Sequence, residues 1–146
     1  MNNYVDGSIM EEDTSNLVDF ILMFGRLKRF IRTGWLAKGI PKGSAESIAD
    51  HVLRTAIISL LMADITKLQG NRVDELKVLR LALMHDLPEV VLKDIDKEAW
   101  SHLNVDSNFK RNTERKAMQN LLNMLPETLC KKYFICLLYT SPSPRD

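Results

Sequence analysis

A chain of 146 residues, 45% hydrophobic and 27% charged with a net charge of +1, suits one domain with a modest core. Charges of both signs are interspersed, which excludes a histone-like nucleic-acid binder, and six glycines with five prolines exclude a collagen-like or linker-like chain. Two cysteines cannot build a disulfide framework, no basic-then-apolar leader opens the chain, and Phe20 to Phe24 falls far short of the ~20 apolar residues that span a bilayer. The expectation is a cytoplasmic protein with neither membrane nor nucleic acid among its partners.

Residues 1–15 read as a polar N-terminal extension. Leu17, Phe20, Ile21, Phe24 and Leu27 then form one stripe, which predicts a helix from about Asn16 to Arg29. Gly34, Gly39, Pro41 and Gly43 predict a loop. Ser44 is placed as the N-cap of a second helix with the stripe Ile48, Val52, Ala56, Leu60 and Ala63, ended by Gln69-Gly70-Asn71. A third helix carries Val73, Leu76, Leu79 and Leu83 and stops near His85-Asp86. Pro88 suits the first turn of a short new segment, where its missing N–H costs nothing. Trp100 to Asn108 is polar and loop-like, Phe109 to Met124 is helical up to Pro126, and Glu127 to Ile135 starts a last helix. No segment alternates with period two, so the fold class is all-α.

At Cys136 the pattern breaks. The string Cys136-Leu-Leu-Tyr-Thr-Ser-Pro-Ser-Pro-Arg-Asp146 passes from an amphipathic helix into a Ser/Pro tail. It looks like the in-frame translation of a transposase-type sequencing-library adapter; the alternative is a genuine polar tail. On the first reading the domain occupies residues 16–135, residues 136–146 are not native, and Cys130 is the one native thiol.

Two histidines stand beside carboxylates. His51 follows Asp50 within the second helix, and His85 precedes Asp86 at the end of an apolar one. Imidazole and carboxylate together suit Mn, Co, Fe, Ni, Zn or Mg. A His-Asp pair at a helix end can aim both side chains at one cation, with a second histidine arriving from a packed neighbour. A lone histidine is also often a hydrogen-bonded core residue, and spacing alone leaves both readings open. Six basic residues and no acidic one lie between Arg26 and Lys42, which reads as a phosphate-facing rim. The cluster Lys110, Arg111, Arg115 and Lys116 reads as a solvated helix face, and His102 is given no role.

The ordered set Gly25-Arg-Leu-Lys-Arg29, Arg32-Thr-Gly-Trp35, Glu46-Ser-Ile-Ala-Asp-His51, Leu81-Ala-Leu-Met-His-Asp-Leu-Pro-Glu89 and Lys93-Asp-Ile95 resembles the HD-domain metal-dependent phosphohydrolases, in their 5'-deoxynucleotidase branch. The resemblance covers about Leu17 to Phe134. It implies a helical HD-domain bundle and a divalent cation (Mn, Co, Mg or similar) on His51, His85 and Asp86. Glu89 is implied as a catalytic acid or base that could also touch a second cation. Asp94 stands where a substrate-side carboxylate is implied, near the sugar or the second cation, with Ile95 offering backbone. Arg32 and Trp35 match the arginine and tryptophan that contact the nucleotide. The implied reaction is hydrolysis of a 2'-deoxynucleoside 5'-monophosphate to deoxynucleoside and phosphate, and the family suggests a homodimer.

Three departures stand out. Lys93 replaces the family's glycine, and Pro88 stands where alanine or serine is commoner. The third is the fourth ligand, an aspartate on a later helix: Asp94, Asp96 and Asp106 come too early and Asp146 lies in the tail. The expectation is therefore a bundle incomplete at its C-terminus and an impaired catalyst. The alternatives are a nucleotide-binding or regulatory domain without turnover, and an HD hydrolase of another nucleotide.

Overall fold

The computed structural model describes residues 11–93, 102 and 106–138. Its regular elements are helical throughout: α1 (Glu11–Phe24), a 3₁₀ helix (Gly25–Arg29), α2 (Thr33–Ala37), α3 (Ile48–Leu68), α4 (Glu75–Met84), α5 (Glu89–Leu92), α6 (Ser107–Leu122) and α7 (Glu127–Leu138). Among the described residues the sole β-type pairing is an isolated antiparallel bridge between Ile31 and Ser47. The all-α expectation is met.

Several boundaries differ from the sequence reading. The first helix already includes Glu11, ahead of the expected start near Asn16. It tightens into the 3₁₀ turn at Gly25, a residue that weakens α-helix. The expected loop contains α2, which ends where Gly39 takes φ +79 and its N–H bonds the Leu36 carbonyl at 2.9 Å. α6 starts at Ser107, capped by Asp106, instead of at Phe109. The last helix runs past Ile135 to Leu138, and Cys136 within it is buried.

The N-cap of α3 is Ser47, not Ser44. Ser44 closes a turn onto the Pro41 carbonyl, whereas Ser47 and Asp50 form a reciprocal capping box. The Asp50 N–H donates to Ser47 Oγ at 3.1 Å, and Asp50 Oδ2 accepts from the Ser47 N–H at 3.0 Å and from its hydroxyl at 2.6 Å. Ser-x-x-Asp was there to be read; Ser44 matched composition without the partner three residues on. The incoming strand is pinned to the same place, since the Ile48 N–H bonds the Phe30 carbonyl at 2.8 Å and the Arg32 N–H bonds the Glu46 carbonyl at 3.0 Å.

Ile48, Val52, Ala56 and Ala63 form the buried stripe of α3; Leu60, the fifth residue expected there, is 37% exposed. α3 is apolar on its other side as well, and Leu53, Ile57, Leu61, Ile65 and Leu68 are exposed. After the turn at Gly70, α4 packs back along α3, and the Lys67–Glu75 ion pair crosses the junction at 2.7 Å. Leu27, Ile48, Leu87 and Leu122 are completely buried in a core shared with Phe20, Val52, Val90, Met118, Leu121 and Leu125. That core lies under the first turns of α3 and the corner between α4 and α5.

Ser47→Ala removes the cap that sets the first turn of α3. The expected cost is about 1 kcal/mol, seen as a fall of about 3–5 °C in the thermal midpoint by circular dichroism; an unchanged midpoint would show that packing alone holds the turn.

Candidate metal centre

His51 sits one turn into α3, its N–H bonded to the Ser47 carbonyl at 3.1 Å. Asp50 beside it is engaged in the cap, and its hydrogen bonds from Ser47 hold its carboxyl below the ordinary range. His85 is the C-cap of α4, and the chain turns through Asp86, Leu87 and Pro88 before α5. The turn carries bonds from the Leu87 N–H to the Met84 carbonyl and from the Glu89 N–H to the Asp86 carbonyl. Neighbouring residues at a helix end can therefore point to one spot.

They do so here. His85 Nε2 lies 3.4 Å from His51 Nε2 and 3.3 Å from Asp86 Oδ2, and His51 Nε2 lies 3.5 Å from the same oxygen. The imidazole rings meet edge-on, with centroids 5.5 Å apart. His85 Nδ1 is 2.8 Å from the Ala82 carbonyl. A carbonyl only accepts, so that nitrogen carries the proton and leaves Nε2 with a lone pair for the centre.

The arrangement fits a divalent cation on three counts. A triangle of donors with sides near 3.4 Å has its centre roughly 2.0 Å from each corner, the usual length of a metal–imidazole or metal–carboxylate bond. Asp86 Oδ2 is buried, with His85 Nε2, His51 Nε2 and Arg32 Nη1 gathered around it at 3.3, 3.5 and 3.7 Å. Two imidazoles and one carboxylate form a borderline-to-hard donor set. Among the described residues, His51, His85 and Asp86 form the one metal-type group.

Charge is unevenly spread. Burial and the nearby Arg32 guanidinium push the His51 pKa down. Burial acts the same way on His85, but the hydrogen bond and charge of Asp86 outweigh it and hold its pKa above the ordinary imidazole value. Burial would raise the Asp86 carboxyl, yet His85 bonded to it, with His51 and Arg32 nearby, holds it below the usual range.

Glu89 is the first residue of α5 and half-buried; its charge reaches His85 and favours the imidazolium. Arg32, the N-cap of α2, brings Nη1 to 3.7 Å from Asp86 Oδ2. Trp35, on α2, is 38% exposed. Its indole N–H donates to Glu46 Oε2 at 3.1 Å, and Lys38 Nζ lies 6.0 Å from its ring centre. Asp94 and Ile95 lie outside the described residues. The sequence reading gave no role to three neighbours. Thr55 Oγ1 is 3.4 Å from His51 Nε2, and its spacing of four on one helix face could have signalled it. Glu46 and Arg54 pair at 2.7 Å beside Trp35; no spacing rule links residues joined through a loop.

Known proteins share this chain's pattern. A family model described as HD domain matches residues 24–138. The 5'-deoxynucleotidase HDDC2 of Bos taurus is 34% identical over 119 residues, covering 82% of this chain and 52% of its own. The 5'-deoxynucleotidase hdd1 of Schizosaccharomyces pombe is 34% identical over 110 residues, covering 75% and 50%. A conserved hypothetical protein from Pyrococcus furiosus has a solved structure that superposes with a TM-score of 0.69 at 36% identity, covering 85% of this chain and 66% of that one. This chain thus spans about half the length of the curated relatives it matches.

Two predictions follow from the geometry. A cation must displace the proton from His85, whose pKa is raised, whereas His51, whose pKa is lowered, gives its proton up more readily. Affinity for Mn²⁺ by calorimetry should therefore climb with pH and level off only above the ordinary imidazole value of 6.5; a flat profile from pH 5 to 8 would contradict the assignment. Lys93, where the resemblance has glycine, takes φ 60 and ψ 168, a region nearly confined to glycine. Lys93→Gly should stabilise the chain by roughly 1 kcal/mol in denaturant unfolding, the relieved strain exceeding glycine's greater freedom when unfolded.

Proposed function

The chain belongs to the HD-domain family, and on that premise we propose that it is a divalent-metal-dependent phosphomonoesterase acting on 2'-deoxynucleoside 5'-monophosphates. The observation that carries the reading is the convergence of His51, His85 and Asp86 with Arg32 Nη1 3.7 Å from the shared carboxylate oxygen. Three donors and a guanidinium at one point form a place for an anionic phosphate beside a cation.

His51, His85 and Asp86 would hold a divalent cation, which would supply Lewis-acid activation of a water and of a phosphoryl oxygen when bound. The chain's own residues do the rest. Arg32 pairs with the phosphate, two N–H groups matching two oxygens, and exchanges its long contact with Asp86 for a closer one. Its position fixes the phosphorus relative to the donor triangle. Water oxygen bonds to phosphorus as the bond to the 5'-oxygen breaks. Glu89, at the start of α5, manages one proton, taken from the attacking water or given to the leaving 5'-oxygen, and solvent exchanges the other. Trp35 packs its flat, partly exposed face on the sugar or base. Asp94 keeps the role that the resemblance implies, near the sugar or a second cation, with Ile95 offering backbone. The basic run from Arg26 to Lys42 steers the anion toward the mouth.

Names borne by the relatives support this substrate class, since the bovine and fission-yeast proteins are both called 5'-deoxynucleotidases. The second reading, nucleotide binding without turnover, has one observation on its side: three donors converge among the described residues, where the resemblance implies four. Cation affinity and rate are accordingly expected to fall roughly 10–100-fold below those of the bovine relative measured alongside.

Phosphate release from deoxynucleoside and ribonucleoside monophosphates, with Mn²⁺, Co²⁺ or Mg²⁺ supplied in excess, tests the proposal. Release should depend on added metal, favour the deoxy substrates, and drop at least ~100-fold in Asp86→Asn. Binding of the nucleotide with no release above the Asp86→Asn background would hand the site to the second reading; equal rates on both sugars would remove the deoxy preference.

A further inference from the structure

We infer that Glu46 is the positioning residue for the nucleotide-contacting segment Arg32–Trp35, an inference that rests on the reading of Arg32 and Trp35 given above. α2 is short and shallowly packed. It is five residues long, has no side-chain cap and buries none of its residues, so neither a core contact nor helical cooperativity fixes its direction. Glu46 meets it at two points. The Glu46 carbonyl accepts the Arg32 N–H at 3.0 Å, and its Oε2 accepts the Trp35 indole N–H at 3.1 Å. The same oxygen takes a 2.7 Å bond from Arg54 Nη2, two turns into α3. One residue therefore ties the backbone of the arginine and the ring of the tryptophan to the helix that carries His51.

The placement of charge argues that these bonds serve orientation. The Glu46 side chain is 12% exposed, whereas its partner Arg54 is 59% exposed. An ion pair with so exposed an arginine adds little stability, while burying a carboxylate is costly unless it is well bonded. The indole N–H is the donor that makes burial tolerable, and a charged acceptor makes that bond stronger than a neutral one would. With its N–H held, the indole cannot swing, and a flat face that must meet a sugar or base gains its effect from being fixed beforehand. Arg54 in turn holds the carboxylate from behind.

The test uses the full 146-residue chain with Glu46→Ala, Glu46→Gln, Arg54→Ala, Trp35→Phe and Arg32→Ala. The indole N–H resonance of Trp35, identified by its loss in Trp35→Phe, reports the tether without any metal. KM and kcat for a deoxynucleoside monophosphate, with the Kd of the same nucleotide for the metal-free chain, report its use. Glu46→Ala should move the indole resonance and speed its solvent exchange, raise KM and Kd about tenfold, and leave Mn²⁺ affinity within about twofold. Glu46→Gln, whose amide oxygen still accepts from the indole, should recover most of the loss. Trp35→Phe should raise KM by itself, and Glu46→Ala should add little in that background. Overturning the inference would take a freed indole with unchanged KM and Kd in Glu46→Ala while Trp35→Phe and Arg32→Ala still weaken binding. If those two variants also bind normally, the reading of the nucleotide contacts fails and the inference falls with it. A uniform loss of melting temperature and Mn²⁺ affinity in both Glu46 variants would make the residue merely structural.

Discussion

Everything at the candidate site depends on one packing contact: the burial, in a common core, of Ile48 at the start of α3 and Leu87 in the corner after α4, both fully shielded from solvent. His51 lies one helical turn beyond Ile48, and His85 and Asp86 come immediately before Leu87. Fixing the two leucine-sized side chains in one close-packed interior fixes the backbones that aim three donors at one point. The Ser47–Asp50 cap sets the first turn on one side, and the bond from His85 to the Ala82 carbonyl sets the ring on the other. Both imidazoles approach the same carboxylate oxygen, and the apolar core beneath holds the three residues in register.

The site is built from this economy of support. Asp86 is the hub, its buried oxygen approached by both histidines and by Arg32. Its neighbours are graded: His51 is disposed to stay neutral and His85 to hold its proton until a stronger cation takes its place. Around this hub the lightly anchored α2 brings in the groups suited to a nucleotide. On the proposed reading, the closely packed part of the fold carries the metal donors and the part with few core contacts carries recognition.

Much of this was legible in the residues. Helical periodicity alone gave the all-α class and the stripe of α3, because a core helix repeats every three to four residues whatever lies around it. The ligand triad was legible as chemistry but became a site only through the resemblance, since His51 and His85 are 34 residues apart and no local rule brings them together. Composition alone favours Ser44 as readily as Ser47, and the reciprocal partner at Asp50 decides for Ser47. α2 is hidden by its glycines: Gly34 and Gly39 signal a loop, and the five residues Thr33–Ala37, Gly34 among them, form a short helix all the same. Glu46 could not be found beforehand, because its partners are reached across a loop and along a helix at spacings of eleven and eight. No helix among the described residues is long and apolar enough to cross a membrane.

The central claim is that His51, His85 and Asp86 together hold a divalent cation. X-ray absorption at the cobalt edge of the Co²⁺-loaded chain measures the coordination shell itself. The account predicts the multiple-scattering signature of two imidazoles with light oxygen or nitrogen neighbours at roughly 2.0–2.2 Å, falling to one imidazole in His51→Ala. A shell with no imidazole signature, or one unchanged in His51→Ala, would contradict it.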